Sequence, residues 1–352
     1  MGLGETMKLY RKEEQLCFDD ILLVPNASSI ESRKDIDLAM SIGEGERKVD
    51  LYLPVIAAPM DTVCEEQLAT EIANHGGLGI IHRYMKPEVQ TNQVLAVSKK
   101  KLKVGAAVGS VVGSKTALKH IESLIICGAD VILVDTANGH SIFAVETVRE
   151  IRKTFPQIHI MAGNVSTWDG FLALSLAGAD SVRVGIGGGS CCTTRIVTGH
   201  GMPTLSSIID IYEMMERMDL PTSIVADGGI RNTGDMVKSF AAGAGAVMVG
   251  SMLAGHDESP GKLVDGSYKE LRGMASHNAQ QDFYGGVSVV EGVAGKVPYR
   301  GSLSKTLDGI RGGISSGCSY SGVFHLEDLE YNSQYVRVSQ ASLGESKPHV
   351  QS

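Results

Sequence analysis

Residues 127–135 read Cys127-Gly128-Ala129-Asp130-Val131-Ile132-Leu133-Val134-Asp135. The amphipathic stretch Lys115–Cys127 ends at a glycine, which can take the left-handed conformation that turns a helix out of its axis. A β-branched run, Val131–Asp135, follows at once and predicts a strand. The pattern recurs. Ala177-Gly178-Ala179-Asp180 precedes Ser181–Val184, and Ala242-Gly243-Ala244-Gly245 precedes Ala246–Val249. Working outward, further strands are predicted at Pro54–Ala58, Leu78–Ile81, Val104–Val108, Ile158–Ala162 and Ser223–Ala226. Helical patterns lie between them at Glu65–Asn74, Ser141–Thr154, Thr167–Ala177, Leu205–Arg217 and Thr233–Ala242. Eight strands with intervening helices is the count of a closed α/β (β/α)8 TIM barrel. A doubly wound open sheet is the competing arrangement. The barrel is expected, because the count closes at eight and candidate site residues recur after many different strands.

The chain has 352 residues, 43% of them hydrophobic, and a mean hydropathy of +0.04. Its 42 glycines exceed the usual share of about 7% without any collagen-like period. A net charge of −8 argues against a general nucleic-acid binder, which needs basic patches to displace counterions. A mononucleotide remains compatible, since one local anion site holds it. No apolar run reaches membrane-spanning length, and the opening residues carry charges without an apolar signal core. A cytoplasmic protein with no membrane partner is expected. The six cysteines form no CxxC pair, so neither a zinc knuckle nor a disulfide framework is indicated.

Ala226-Asp227-Gly228-Gly229 and Val249-Gly250-Ser251 follow the seventh and eighth strands, where barrels commonly hold a phosphate on backbone N–H groups. From about 259 to 303 the alternation lapses into polar and Gly-rich sequence, expected to be a flap or binding loop. The stretch Ser304–Gly312 predicts the last barrel helix, and the tail after Gln340 is expected to be frayed or docked on a partner. One barrel domain is expected, with an N-terminal extension over 1–50. Gly185-Ile186-Gly187-Gly188-Gly189-Ser190-Cys191-Cys192-Thr193-Thr194-Arg195 follows the sixth strand. A cysteine on so polar and Gly-rich a loop is a candidate nucleophile.

With that loop the sequence resembles the IMP dehydrogenase/GMP reductase family over nearly its whole length. The matching segments are Phe18–Pro25, Ala58–Val63, Gly76–Gly79, Asp135–His140, Ala162–Val165, the Cys192 loop, Ala226–Gly229 and Arg272–Met274. The resemblance implies a (β/α)8 barrel assembled as a homotetramer. It implies that Cys192 attacks C2 of a purine base, with Cys191 packing beside it. Thr194 and Glu291 match the pair that handles the proton on a departing ammonia. Asp227 matches the acceptor for ribose hydroxyls, and Gly228, Gly229, Gly250 and Ser251 match a phosphate cradle. Ser190, Gly273, Met274, Ala275 and Gly292 fall at further nucleotide-binding positions. Asp135, Thr136, Ala137, Ile186 and Gly187 match the cofactor segment, with Ser32, Arg33, Arg83 and Ser316 approaching the dinucleotide. The carbonyls of Gly187, Gly189 and Cys192 match a potassium site, with Arg195 nearby. Proline usually stands at the position of Gly188.

Two branches share this chemistry. The dehydrogenase oxidises IMP with NAD and hydrolyses the adduct. The reductase expels ammonia from GMP and takes hydride from NADPH. Here Arg83–Lys101 runs straight into the third strand, without room for the dehydrogenase's paired CBS modules, and 275–291 contains no arginine to match its flap Arg-Tyr pair. Both absences point to an NADPH-dependent GMP reductase, with Cys192, Thr194 and Glu291 catalytic. Against it, Arg272 matches the dehydrogenase, as does Glu345-Ser346-Lys347-Pro348-His349. Leu271 stands where an aromatic binds phosphate, and Ser288, Val289 and Val290 replace reductase base contacts. The alternatives are a compact IMP dehydrogenase with a rebuilt flap, in which His277 stands in as the base, and a non-catalytic purine nucleotide-binding protein.

Overall fold

A computed structural model describes residues 13–348. Its barrel strands are β1 (Val55–Ala57), β2 (Leu78–Ile81), β3 (Val104–Val108), β4 (Val131–Asp135), β5 (His159–Val165), β6 (Ser181–Val184), β7 (Ser223–Asp227) and β8 (Ala246–Val249). Each pairs in parallel with the next, and β8 closes on β1. The continuous apolar runs follow from this closure. In β4, Val131 and Leu133 point into the barrel, whereas Ile132 and Val134 point out to the helices. Both faces are dry, so no polar alternation is needed.

The helices are α1 (Glu66–Asn74), α2 (Pro87–Ser98), α3 (Lys115–Ile126), α4 (Ile142–Thr154), α5 (Trp168–Ala177), α6 (Thr204–Met218), α7 (Thr233–Ala241) and α8 (Leu303–Ser321). Helix α2 escaped the sequence reading because its apolar residues do not gather on one face; Gln90 is buried alongside Val94 and Val97. Helix α8 runs well past the expected Gly312. It crosses its glycines because a Cβ on Gly313 would sit 2.5 Å from Thr233 Oγ1, and one on Gly317 would sit 2.6 Å from Val237. Those glycines let α8 approach α7.

The N-terminal end of the barrel is plugged by the hairpin Met40–Ile42/Val49–Leu51. Ile42, Val49 and Leu51 join the interior layer of Ile56, Leu78, Ile80, Leu133, Met161, Val225 and Met248. The other end therefore stays open. Between β8 and α8 the flap is more regular than its sequence suggested. Leu263–Val264, Tyr268–Arg272 and Ala294–Pro298 form an antiparallel sheet, and a helix spans His277–Tyr284. Of the expected C-terminal tail, a short helix at Ser342–Glu345 is described and 349–352 lie outside the described residues. No helix among the described residues is long and apolar enough to cross a membrane.

Candidate active site

The C-terminal ends of the strands surround a cavity of about 350 Å³. Its floor and walls come from loops that only glycine allows. A Cβ on Gly185 would lie 1.8 Å from the Asp227 carbonyl oxygen, so the backbones leaving β6 and β7 touch. Gly187, Gly228 and Gly229 have φ of +81°, +90° and +82°, the left-handed region that disfavours side chains. Gly188 packs against Gly228 and Thr204. Gly250 and Ser251 close the same wall from the end of β8.

Cys192 opens into this cavity. Its Sγ donates to Thr194 Oγ1 at 3.2 Å, and that hydroxyl donates to Glu291 Oε2 at 2.9 Å. The donors point one way, from thiol to carboxylate, so a proton leaving sulfur has a path to Glu291. Thr194 begins a one-turn helix, Thr194–Thr198, while Glu291 arrives from the flap. Backbone pairing joins the two loops. Thr193 N donates to Glu291 O at 3.0 Å, Val293 N to Cys191 O at 2.9 Å and Glu291 N to Ala275 O at 3.1 Å. Gly273 and Gly292 permit this layering, since a Cβ on either would lie 3.1–3.2 Å from the Cys191 carbonyl. Burial raises the Cys191 thiol above its ordinary pKa, and Cys191 packs against the core.

Asp227 accepts from Asn164 Nδ2 at 2.8 Å and lies 3.8 Å from Arg183 Nε. Burial pushes its carboxyl upward, and Arg183 then Asn164 oppose that. Arg183 in turn reaches Asp135 at 2.7 Å, and Asp135 lies 3.5 Å from Arg83. Asn164 and Arg183 both line the cavity, yet the sequence reading singled out neither for a site. Their signal was available: Arg183 is a charged residue inside a buried strand, and such a residue needs partners.

Ser190, Gly273, Met274, Ala275, Gly292, Thr136, Ala137, Ile186, Gly187 and Gly189 also line the cavity. Asp135 and Arg83 stand beside it, joined to Arg183. Arg195, Ser32, Arg33 and Ser316 are not among its walls. Arg195 donates to the Met202 carbonyl at 2.7 Å and packs on Gly187 and Gly201. Ser32 caps the turn Arg33–Asp35, which packs on α8, the helix carrying Ser316. Leu271 is buried in the core and is no wall of the cavity. His277 starts the flap helix, is exposed, and faces a separate polar cleft with Asp61 and Glu270, which excludes it as a base beside Cys192 in this arrangement.

Fold and site together define a (β/α)8 barrel with a thiol–hydroxyl–carboxylate relay in a glycine-walled cavity. The chain belongs to the IMP dehydrogenase / GMP reductase family, whose domain model matches residues 15–349. It is an oxidoreductase-family protein of purine nucleotide chemistry. It is 34% identical to an inosine-5'-monophosphate dehydrogenase of Borreliella burgdorferi, over 96% of this chain and 97% of the relative. An inosine-5'-monophosphate dehydrogenase of Cryptosporidium parvum is 35% identical over 95% and 94%. One of Nitrosopumilus maritimus is 31% identical over 96% and 98%. These relatives overturn the expectation of an NADPH-dependent GMP reductase. That expectation rested on two absences, of CBS modules and of an arginine in 275–291, whereas similarity to dehydrogenases extends along 95–96% of the chain.

Proposed function

We propose that the protein is a compact IMP dehydrogenase, oxidising IMP with NAD and water to XMP. The observation that carries this reading is the 31–35% identity to inosine-5'-monophosphate dehydrogenases over 95–96% of the chain, and the relay Cys192–Thr194–Glu291 in its glycine-walled cavity supplies the chemistry. Cys192, its proton released to solvent, adds through its sulfur to C2 of the hypoxanthine ring. A bound nicotinamide dinucleotide supplies the acceptor for the hydride that leaves C2. Water then attacks the sulfur-bound carbon, Thr194 and Glu291 take its proton, and the C–S bond breaks to free XMP as the departing sulfur takes that proton back from the relay to restore the thiol. Glu291 is the carboxylate hydrogen-bonded through Thr194 to Cys192, which supports its role where 275–291 has no arginine.

Asp227 would accept the ribose hydroxyls, Gly228, Gly229, Gly250 and Ser251 the phosphate, and Gly273–Ala275 with Ser190 and Gly292 the base. Thr136, Ala137, Ile186 and Gly187 would face the nicotinamide, and Asp135 with Arg83 would flank it. The carbonyls of Gly187, Gly189 and Cys192 suit a potassium ion, since carbonyl oxygens replace its hydration shell. The Cys192 N–H on Gly189 O, 3.0 Å, holds that loop in shape. The guanidinium of Arg195 has no lone pair to offer a cation. The homotetramer belongs to the same reading, and exposed Ile126, Ile142, Phe143 and Leu176 offer apolar surface for assembly.

The test is an assay of reduced nicotinamide absorbance with each nucleotide and cofactor pair. NADH and XMP should form from IMP and NAD. Consumption of NADPH with GMP, and no NADH with IMP, would overturn the reading.

A further inference from the structure

Five residues of the flap, 286–290, run across the surface just before Glu291, and 286–289 are exposed. Among the described residues their backbone makes hydrogen bonds to one partner only, the side chain of Gln280. Gln280 sits on the flap helix His277–Tyr284 and is 8% exposed. Its amide is fully used. Nε2 donates to Val289 O at 2.8 Å and to Ala275 O at 2.9 Å, and Oε1 accepts from Ser288 N at 2.9 Å. Ala275 O is the same carbonyl that accepts the Glu291 N–H. One buried amide thus ties the strand entering Glu291 to the loop that carries Met274 and Ala275.

We propose that Gln280 is the positioning residue that holds Glu291 in register with Thr194 and Cys192. The chemistry favours it. A primary amide offers two donors and one acceptor in a plane, which matches two carbonyls and one N–H. An apolar residue of similar size would leave three backbone groups to seek water and the 286–290 run without an anchor. A relay of two hydrogen bonds tolerates little displacement, because a donor–acceptor distance beyond about 3.5 Å no longer carries a proton.

This inference rests on the dehydrogenase reading for its kinetic form, so the experiment has two arms. In the first, wild type, Gln280→Leu and Gln280→Glu are mixed rapidly with IMP and NAD. The first-turnover burst of NADH reports C–S bond formation with hydride transfer, and the steady state reports adduct hydrolysis. Gln280→Leu should keep its burst within a few-fold and lose about 10²-fold in steady state, the scale of general base catalysis. Gln280→Glu keeps the acceptor for Ser288 N–H but loses both donors, and should fall between. In the second arm, the rate of Cys192 alkylation by iodoacetamide is followed against pH, with no substrate present. Gln280→Leu should reproduce the altered profile of Glu291→Gln, with melting temperature close to wild type. An unchanged steady state, or a wild-type alkylation profile in Gln280→Leu beside a shifted one in Glu291→Gln, would overturn the proposal. If the wild type makes no NADH from IMP, the dehydrogenase reading fails, and the alkylation arm alone decides the role of Gln280.

Discussion

At the scale of single residues, two adjacent cysteines differ in fate because of what each touches. Both line the cavity, but Cys192 meets a hydroxyl there, whereas Cys191 also packs against the core and has its thiol held up by burial. Cys192→Ala should abolish turnover and leave nucleotide binding within a few-fold, since the glycine cradle and Asp227 carry binding while the covalent step needs sulfur. Cys191→Ala should keep most activity. Turnover assays with calorimetric titration of IMP check both, and the reverse pattern would move the nucleophile by one position. Glu291→Gln should retain the NADH burst and lose about 10²–10⁴-fold in steady state, because an amide cannot take the proton of water. Equal loss in both phases, read by stopped flow, would make Glu291 a binding group.

At the scale of elements, α8 offers a direct test of why its glycines are there. Gly312 faces open space, and a Cβ there meets nothing within 4 Å. Gly312→Ala should raise stability by about 1 kcal/mol, the ordinary helix preference of alanine over glycine. Gly313→Ala should reverse the sign, because its Cβ would collide with Thr233 at 2.5–2.8 Å and push α8 from α7. Chemical denaturation of the pair separates propensity from packing. The flap has its own clasp. Arg272 Nε donates to Asp61 Oδ2 at 2.9 Å, and its Nη1 donates to Asp282 at 2.6 Å. The Asp61 side chain is 13% exposed and that of Asp282 is 63% exposed. Asp61→Ala should therefore cost about 3 kcal/mol, the scale for breaking a buried pair. Asp282→Ala should cost under about 1 kcal/mol, as exposed pairs do. Similar losses in denaturant midpoints would show that the clasp is not seated on the barrel side.

At the scale of the whole molecule, stability should depend on pH through buried histidines. His159 bridges the plug and the barrel, with Nδ1 2.8 Å from Arg47 O and Nε2 2.8 Å from Ser181 Oγ. A carbonyl only accepts, so Nδ1 carries the hydrogen and Nε2 accepts from serine, which is the neutral ring. Burial lowers the pKa of His159, His256 and His120 below the ordinary value. The unfolded chain therefore binds these protons first, near pH 6.5. Unfolding takes up protons, so stability is full above that pH and falls as pH drops through it. Thermal melts should show Tm declining from about pH 7.5 to about pH 5.5, with a shallower slope in His159→Gln. A flat profile would mean that these rings protonate in place.

Local sequence was enough to read the barrel, the candidate nucleophile loop and the glycine-rich loops at its rim. Those features are local: a strand reads as a short β-branched run, a helix end as a glycine, a tight loop as closely spaced glycines. Thr194 sits two residues from Cys192, so motif alone placed them together, and the same resemblance carried Glu291. What chain order could not convey was contact across the fold. Helix α2 hides its buried face, and α8 continues through glycines that only α7 explains. Arg183 and Asn164 acquire meaning only when barrel closure brings β4, β5, β6 and β7 to one rim. The branch of the family was misjudged from the missing CBS modules and the arginine absent from 275–291, and similarity to dehydrogenases along nearly the whole chain corrected it. The fold lays the flap strand beside the Cys192 loop and closes a relay whose members Thr194 and Glu291 lie 97 positions apart. Hydrogen bonds act over about 3 Å in space, whatever the separation along the chain.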